Sequence, residues 1–317
     1  MDNISLNMVF TLSGFKELKA NKYTYFVLIL IAYLSIILFN LIVIVTIILE
    51  RALHEPMYIF LCNLCFNGLY GSAGFYPKFL SDLINDVNFI SYNGCLLQIF
   101  IIYSYGMCEY STLMMMAYDR FVAICKPLEY HMKMTSQTIG RLILFSWSFP
   151  FLTVFGGIML TSRMQLCGSH IDKLYCDNWS IVKLTCAPTT IINNVYGFFV
   201  ILSAIAQGLF VVYSYIRLIN ACRKSKENKN KFMQTCVPHL LSLINFTIAI
   251  LFDVMFSRYE SRNFPKGLRD FLQLEFVIIT PLSNPIIYGL KLTEIRKRVF
   301  RQYKEPKIKD SLHTKKR

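Results

Sequence analysis

Seven long apolar stretches divide the chain, and they constrain its fold more than any other feature. Each is long enough to cross the roughly 30 Å hydrocarbon core of a bilayer, which takes about 20 residues of helix. Helices are expected because an open sheet edge leaves backbone groups unsatisfied in lipid. Composition agrees, since 55% of the 317 residues are hydrophobic and only 16% are charged. The sequence predicts an all-α membrane protein, a seven-transmembrane helix bundle, with spans near 25–49, 57–79, 95–125, 139–160, 191–219, 232–256 and 268–290.

Positive charge is concentrated on one side of the predicted bundle. The segments after spans one, three, five and seven, together with the span ends that adjoin them, hold 22 of the 33 Lys and Arg residues but only 8 of the 19 acidic residues. That side therefore carries the whole formal net charge of +14. Basic residues mark the cytoplasmic side of a membrane protein. We expect a multi-pass plasma-membrane protein with an extracellular N-terminus and a cytoplasmic C-terminus.

Acceptor sequons and cysteines agree with this orientation. Asn3 and Asn178 each begin an Asn-x-Ser sequon on the predicted outer side, where glycosylation takes place. Cys95 lies at the outer end of span three, and three more cysteines, Cys167, Cys176 and Cys186, lie in the loop before span five. Disulfides form in this oxidising compartment, and four cysteines allow three pairings.

Charged residues within span three are candidates for mechanism. Glu109 is predicted at mid-membrane, where an unpaired charge costs about 2.5–3.5 kcal/mol on insertion scales. Asp119 and Arg120 close the inner end of the same span. Such a doublet either merely ends a span or forms an ion pair whose release exposes a cation to a partner. The sequence alone leaves both interpretations open.

Four motifs resemble one family. Residues 116–125, MAYDRFVAIC, resemble the MAYDRYVAIC signature of vertebrate odorant receptors, with Phe121 in place of the usual Tyr. Residues 56–64, 235–240 and 281–288 are similar to that family's motifs in spans two, six and seven, and Tyr215 near the end of span five also fits. The sequence of residues 67–71, NGLYG, looks most like that of fish-type odorant receptors. The resemblance implies a rhodopsin-like G-protein-coupled receptor.

The resemblance also implies roles for particular residues. It pairs Cys95 with Cys176 and Cys167 with Cys186. It places a sodium ion between Glu109 and an Asp of span two, but Gly68 occupies that position here. The alternative for the acid is a protonated Glu109 that is hydrogen-bonded to Asn284 or Ser283.

Span seven contains a second expected switch. Pro285 cannot donate a backbone hydrogen bond, which weakens the helix next to Asn284. Rearrangement of this span would bring Tyr288, Tyr215 and Arg120 together at the inner face. His239 of span six is either a structural hydrogen-bond donor or part of this switch, and the sequence favours structure because it shows no titrating partner.

The ligand pocket is expected between spans three, five and six. Residues one turn apart form a face of span three, namely Tyr103, Gly106, Met107 and Tyr110. Residues of spans five and six that would face them are Tyr196, Phe199, Ser203, Thr247, Ile250 and Leu251. Asp253 and Arg258 are polar candidates near the outer end of span six, and they either bind a charged ligand or pair at the water interface.

The chain divides into an extracellular segment 1–23, a seven-transmembrane domain 24–290, a short amphipathic juxtamembrane helix 291–303 on the inner leaflet and a cytoplasmic tail 304–317. The family implies a non-enzymatic odorant receptor for a small molecule that activates the olfactory stimulatory G protein, a heterotrimer. We expect contacts with membrane lipids, no cofactor and no nucleic-acid partner. Alternatives are an orphan receptor of the same fold for a non-odour ligand, or a membrane transporter or channel, which would favour inverted repeats or polar rings.

Overall fold

Seven long helices form the bundle. The computed structural model describes residues 8–12, 21–85, 88–186, 191–222, 226–258 and 266–291. The long helices are α1 (Lys22–Leu49), α2 (Pro56–Asn85), α3 (Tyr92–Cys125), α5 (Ser136–Thr161), α7 (Ile191–Cys222), α8 (Lys226–Arg258) and α9 (Lys266–Lys291). Two shorter helices are α4 (Tyr130–Lys133) and α6 (Asn178–Lys183). The seven predicted spans are confirmed as these long helices.

The helices differ in how apolar they are. Within the described residues, α1, α5 and α7 are long and apolar enough to cross a membrane by length and composition alone. Helices α2 and α3 are also long, at 30 and 34 residues, but they bury polar side chains such as Asn63, Asn67 and Ser104 inside the bundle. Polar groups in a membrane helix face the protein interior because lipid offers them no partners.

Helix α3 is the centre of the bundle. It packs against α2, α5, α7 and α8. Its N-terminus is capped by Ser91, whose hydroxyl accepts a hydrogen bond from the Gly94 amide at 3.2 Å. The approach of α2 to α3 depends on glycine, because a Cβ at Gly71 would lie 2.4 Å from the Tyr105 ring. Large apolar side chains of α1, α5 and α7 point outward, as expected for surfaces that face lipid.

A small sheet, which the sequence reading missed, covers one end of the bundle. Its strands are β1 (Val9–Leu12), β2 (Phe89–Ser91) and β3 (His170–Ile171), in the order β2-β1-β3. Strand β1 pairs antiparallel with β2 and parallel with β3. Phe10 and Leu12 of β1 are fully buried. We call this the disulfide end, because Cys95 lies there, and the opposite end the Arg120 end.

Part of the predicted domain division lies outside the described residues. This applies to Asn3, to the expected amphipathic helix 291–303 except its first residue, and to the tail 304–317. In the predicted segment 1–23, residues 8–12 belong to the sheet and α1 begins at Lys22. Helices α2, α5, α8 and α9 each contain internal proline, namely Pro77, Pro150, Pro238, and Pro281 with Pro285, and each helix continues through it.

Candidate functional site

One face of α3 meets α8 and α9 in the half of the bundle nearer the disulfide end. A Cβ on Gly106 would lie 3.2 Å from the Phe276 ring and 3.9 Å from Ile250. The absence of a side chain at Gly106 therefore lets three helices converge. Gly106 and Ile250 were both predicted pocket residues, and the structure brings them together.

Aromatic rings surround this convergence. Tyr105 and Phe276 have ring centroids 5.5 Å apart, Phe276 and Phe246 are 6.0 Å apart, and Phe246 stacks on Tyr110 at 6.2 Å. We call these four residues the aromatic cluster. Of the four, the sequence reading named only Tyr110. Phe246 precedes the predicted Ile250 by one helical turn, so helical spacing alone points to it.

The remaining predicted pocket residues are dispersed. Tyr103 and Met107 are half-buried on α3. The hydroxyls of Ser203 and Thr247 donate to carbonyls of their own helices, those of Val200 and Leu243, each at 2.7 Å. These last two bonds are local, because a hydroxyl in a helix often bonds a carbonyl three or four residues earlier.

Three predicted pocket residues point away from α3. Tyr196 donates to the carbonyl of Thr153 on α5. Phe199 and Leu251 are 50% and 56% exposed, and so they lie on the outer surface of the bundle. The side chains of Asp253 and Arg258 lie outside the described part of the structure.

Glu109 is held by two amides from other helices. Asn67 Nδ2 of α2 donates to Glu109 Oε2 at 2.8 Å, and Asn284 Nδ2 of α9 donates to Glu109 Oε1. All three residues are buried. We call this arrangement the amide clamp. Of the two bonds expected for a protonated Glu109, the structure shows the one to Asn284, while Ser283 bonds Asn245 and Thr280 instead.

The residues around Glu109 do not fit a sodium ion. Asn67 Nδ2 also donates to the Tyr105 carbonyl at 3.0 Å, which fixes the amide so that its N–H groups, not its oxygen, face the carboxylate. Both carboxylate oxygens therefore meet hydrogen-bond donors. Gly68 supplies no second carboxylate, and among the described residues no three His, Cys, Asp or Glu side chains form a group that could hold a metal.

The Asp119–Arg120 pair is closed and buried. Arg120 Nε donates to Asp119 Oδ2 at 2.8 Å, and the Tyr130 hydroxyl donates to Asp119 Oδ1 at 2.8 Å. Burial and the neighbouring Asp119 raise the pKa of Tyr130, so its phenol stays protonated and can keep donating. The doublet is thus held by its own ion pair and by a tyrosine after the span.

A second contact joins three helices near the Arg120 end. His239 Nε2 of α8 lies 2.8 Å from the carbonyl oxygen of Leu113 on α3, and His239 Nδ1 bonds the hydroxyl of Tyr215 on α7. A carbonyl only accepts, so Nε2 carries a proton, and Nδ1 of the neutral ring accepts from Tyr215. We call this the histidine staple. It gives His239 the polar partner that the sequence did not show.

Tyr288 lies close to these contacts but, within the described residues, makes no hydrogen bond to them. Its hydroxyl is buried and has no hydrogen-bond partner among the described residues. Pro285 next to Asn284 is likewise buried in α9. In this form, Tyr215 bonds His239 and Arg120 bonds Asp119, so the expected meeting of Tyr215, Tyr288 and Arg120 has not formed.

Two disulfides lie at the opposite end. They join Cys95 to Cys176 and Cys167 to Cys186, the pairings that the resemblance implied. The Cys176 amide also donates to Gln98 Oε1 of α3 at 2.9 Å. Asn178 lies at the start of α6, where its side-chain oxygen accepts a hydrogen bond from Thr161.

Comparison with known proteins settles the family. A sequence model described as "Olfactory receptor" matches residues 28–306. The chain belongs to the olfactory receptor family. This olfactory receptor is 36% identical to mouse olfactory receptor 4B13, over 88% of its own length and 91% of that protein. It is 34% identical to human olfactory receptor 6N1, over 93% of its own length and 95% of that protein.

The fold has a counterpart among solved structures. The crystal structure of squid rhodopsin matches with a TM-score of 0.72 and 18% sequence identity, over 90% of this chain and 81% of that chain. This olfactory receptor is therefore a multi-pass membrane protein with the helical bundle of a rhodopsin-like G-protein-coupled receptor. The relatives above come from mouse and human, so the fish-type resemblance stays a prediction.

Proposed function

We propose that this olfactory receptor binds a small odorant molecule at the aromatic cluster and passes the signal along α3 to a G protein at the Arg120 end. Membership of the family supports a receptor that signals through a G protein. We further propose that the partner is the olfactory stimulatory heterotrimer, which would raise cyclic AMP.

The observation that carries this proposal is the order of contacts along α3. Gly106 meets the aromatic cluster, Glu109 meets the amide clamp, Leu113 meets the histidine staple and Arg120 meets Asp119. Gly106 and Arg120 are 14 residues apart, or about 21 Å of helix at 1.5 Å per residue. One rigid element thus connects the proposed ligand site with the proposed G-protein site.

Helices α8 and α9 supply the moving partners. Phe246 and His239 are both on α8, and Phe276 and Asn284 are both on α9. A ligand that packs between the aromatic rings shifts these helices relative to α3 and strains the histidine staple and the amide clamp together. A ligand changes such an equilibrium only when it binds the two forms with different affinity.

Two exposed apolar side chains support a protein contact at the Arg120 end. Leu128 is 94% exposed and Met132 is 73% exposed, and both lie in the connection between α3 and α5, with Lys126 and Lys133 beside them. An exposed apolar pair rimmed by cations suits a protein partner with an apolar pocket and acidic rim. The same basic surface suits anionic lipids of the inner leaflet.

The proposed orientation has the disulfide end outside the cell and the Arg120 end in the cytoplasm of a plasma-membrane protein. The distribution of Lys and Arg supports it, as does the location of both disulfides at one end. In this orientation Asn3 and Asn178 are available for glycosylation. Arg258 would then lie near the outer ends of the helices and select ligands with an anionic group.

Cyclic AMP production in cells that express the chain on their surface tests the proposal. The panel contains amino acids, bile-type acids and volatile odorants, and each is assayed with several classes of G protein. For any agonist found, Gly106→Leu places a side chain against Phe276 and should raise the half-maximal concentration by about five- to 150-fold, since overpacking costs about 1–3 kcal/mol.

Gly197→Leu is the matched control, because a Cβ there meets nothing within 4 Å, and it should leave potency unchanged. An unchanged potency for Gly106→Leu would show that the ligand binds elsewhere. Silence of the surface-expressed receptor with every class of G protein would contradict the signalling role.

A further inference from the structure

Glu109 is a fully buried acid without a cationic partner. No Lys, Arg or His among the described residues forms an ion pair with it. A buried carboxylate needs hydrogen bonds, a counter-ion or a proton to offset its desolvation. In this chain the hydrogen bonds come from the amide clamp, one on each carboxylate oxygen.

The clamp presents the wrong groups for a cation. The Nδ2 atom of Asn67 has two hydrogens, and they bond the Tyr105 carbonyl and Glu109 Oε2. Turning the amide over would place its oxygen against a carbonyl and a carboxylate, where every group only accepts. The N–H dipoles of Asn67 therefore point their positive ends at the position that a cation would share with Glu109.

Gly68 has no side chain and so lacks the second carboxylate that would complete a cation site. A Cβ built on Gly68 would lie 3.3 Å from Asn40 Oδ1 and 3.5 Å from Pro281 Cβ. The side chain of Asn40 on α1 lies beside this space, where its Nδ2 atom donates to the Pro281 carbonyl at 3.0 Å and to the Ile36 carbonyl at 2.8 Å. Helices α1 and α9 thus pack against α2 at Gly68, next to the position from which a second carboxylate would project.

We propose that the amide clamp replaces a sodium ion in this receptor, and that Gly68 is the residue that makes the replacement possible. The clamp joins α2, α3 and α9 through neutral donors, so the folded receptor gains nothing from sodium. Its stability and basal signalling are then independent of the sodium concentration at constant ionic strength.

Thermal unfolding of the purified full-length receptor tests this inference without an agonist or a G protein. The probe is sodium chloride, compared with choline chloride at equal ionic strength. A ligand that binds only the folded state raises the melting temperature, by about 2 °C for a chain of this size when it is present at ten times its dissociation constant. We expect the same melting temperature in both salts. A rise in sodium chloride alone would overturn the proposal.

Gly68→Asp tests the role of the glycine. It introduces the carboxylate that the family resemblance places in the sodium site, so this variant should melt lower than the parent in choline and recover in sodium chloride. Gly68→Asn has the same shape without the charge and should show no sodium effect. Gly140→Asp is the control for an added acid at an open position, because a Cβ there meets nothing within 4 Å.

The other possible results for the Gly68 variants also support or contradict the proposal. Gly68→Asp protein that folds only when sodium is present supports the proposal. If Gly68→Asp shows no sodium effect, or fails to fold in both salts, the glycine does not by itself determine cation binding, and that half of the proposal fails. Sodium dependence of both Gly68→Asp and Gly68→Asn would point to a size effect and would contradict it too.

Discussion

The two ends of the bundle are held together by different kinds of interaction. At the disulfide end, two covalent bonds and a three-stranded sheet join the N-terminal strand, the connections at that end and α3. At the Arg120 end, the buried contacts are hydrogen bonds and the Asp119–Arg120 ion pair, joined by Tyr130 and the histidine staple. One end is held covalently, whereas the other is held by non-covalent bonds that are individually weak.

This difference suits a receptor. A disulfide stabilises by about 2–5 kcal/mol, while a single hydrogen bond contributes about 0.5–1.5 kcal/mol. A bound small molecule supplies enough free energy to change a few hydrogen bonds, whereas a disulfide opens only when a thiolate attacks it. We therefore expect substitutions at the disulfide end to affect folding, and those at the Arg120 end to affect signalling.

The largest effect is expected for Cys95→Ala, which removes the bond to Cys176. The two cysteines are 81 residues apart in sequence, so the unfolded chain gains much freedom, and the free energy of unfolding should fall by about 2–5 kcal/mol. Thermal unfolding and surface expression measure this loss. Cys62→Ala is the control, because Cys62 is unpaired and half-buried. Equal stability of the two variants would argue against a rigid disulfide end.

The next effect concerns the amide clamp between the two ends. Asn284→Ala leaves Glu109 Oε1 buried without its donor, which costs about 1–3 kcal/mol. Because Asn284 is on a helix that is proposed to move, the variant should lower the melting temperature and also change basal cyclic AMP. A fall in melting temperature with unchanged signalling would make the clamp a structural contact alone.

A smaller effect is expected at the Arg120 end. Tyr130→Phe removes the hydroxyl that donates to Asp119, and a hydrogen bond of about 1 kcal/mol corresponds to about a fivefold change in an equilibrium constant. Basal cyclic AMP should rise with little change in melting temperature. Tyr213→Phe is the control, because that tyrosine is exposed on α7. Equal basal signals in the two variants would count against a closed ion pair that restrains activity.

The smallest effect is expected for Lys133→Ala. Hydrogen bonding to Lys133 lowers the pKa of Glu129, and both side chains are exposed. A lowered pKa in the folded state means that the pair contributes above the ordinary pKa of Glu129 and that this contribution disappears as the pH falls. The melting temperatures of parent and variant should agree at pH 7 and at pH 4, since exposed pairs contribute little. A pH-dependent difference would show that this connection is more ordered than its exposure indicates.

The sequence predicted the spans well because crossing a membrane depends on length and hydrophobicity, which are local properties. It also indicated Glu109, Asn284 and the doublet, since polar residues inside apolar stretches are conspicuous. It missed β1, because Val9–Leu12 is four residues long and its partners lie far along the chain. Such pairing depends on where the connections meet in space.

The candidate pocket shows the same limit. Helical spacing identified Gly106 and Ile250 but could not fix the rotation of α7, so Phe199 was expected inside and lies outside. Phe276 was missed because the expected pocket did not include span seven. Asn40 lies beside the space that a side chain at Gly68 would fill. Only the structure shows this contact, because no sequence pattern indicates which residue of α1 lies beside Gly68.

Distances between spin labels at each end test the central claim most directly, with labels carried on unnatural amino acids so that the disulfides stay intact. One pair, Leu97 and Ile191, reports on the disulfide end, and the other, Leu144 and Leu241, on the half nearer the Arg120 end; all four side chains are exposed. Binding of the heterotrimeric G protein should lengthen the second distance by several ångströms and leave the first unchanged. An unchanged second distance, or an equal change at both ends, would contradict a bundle that is fixed at one end and switched at the other.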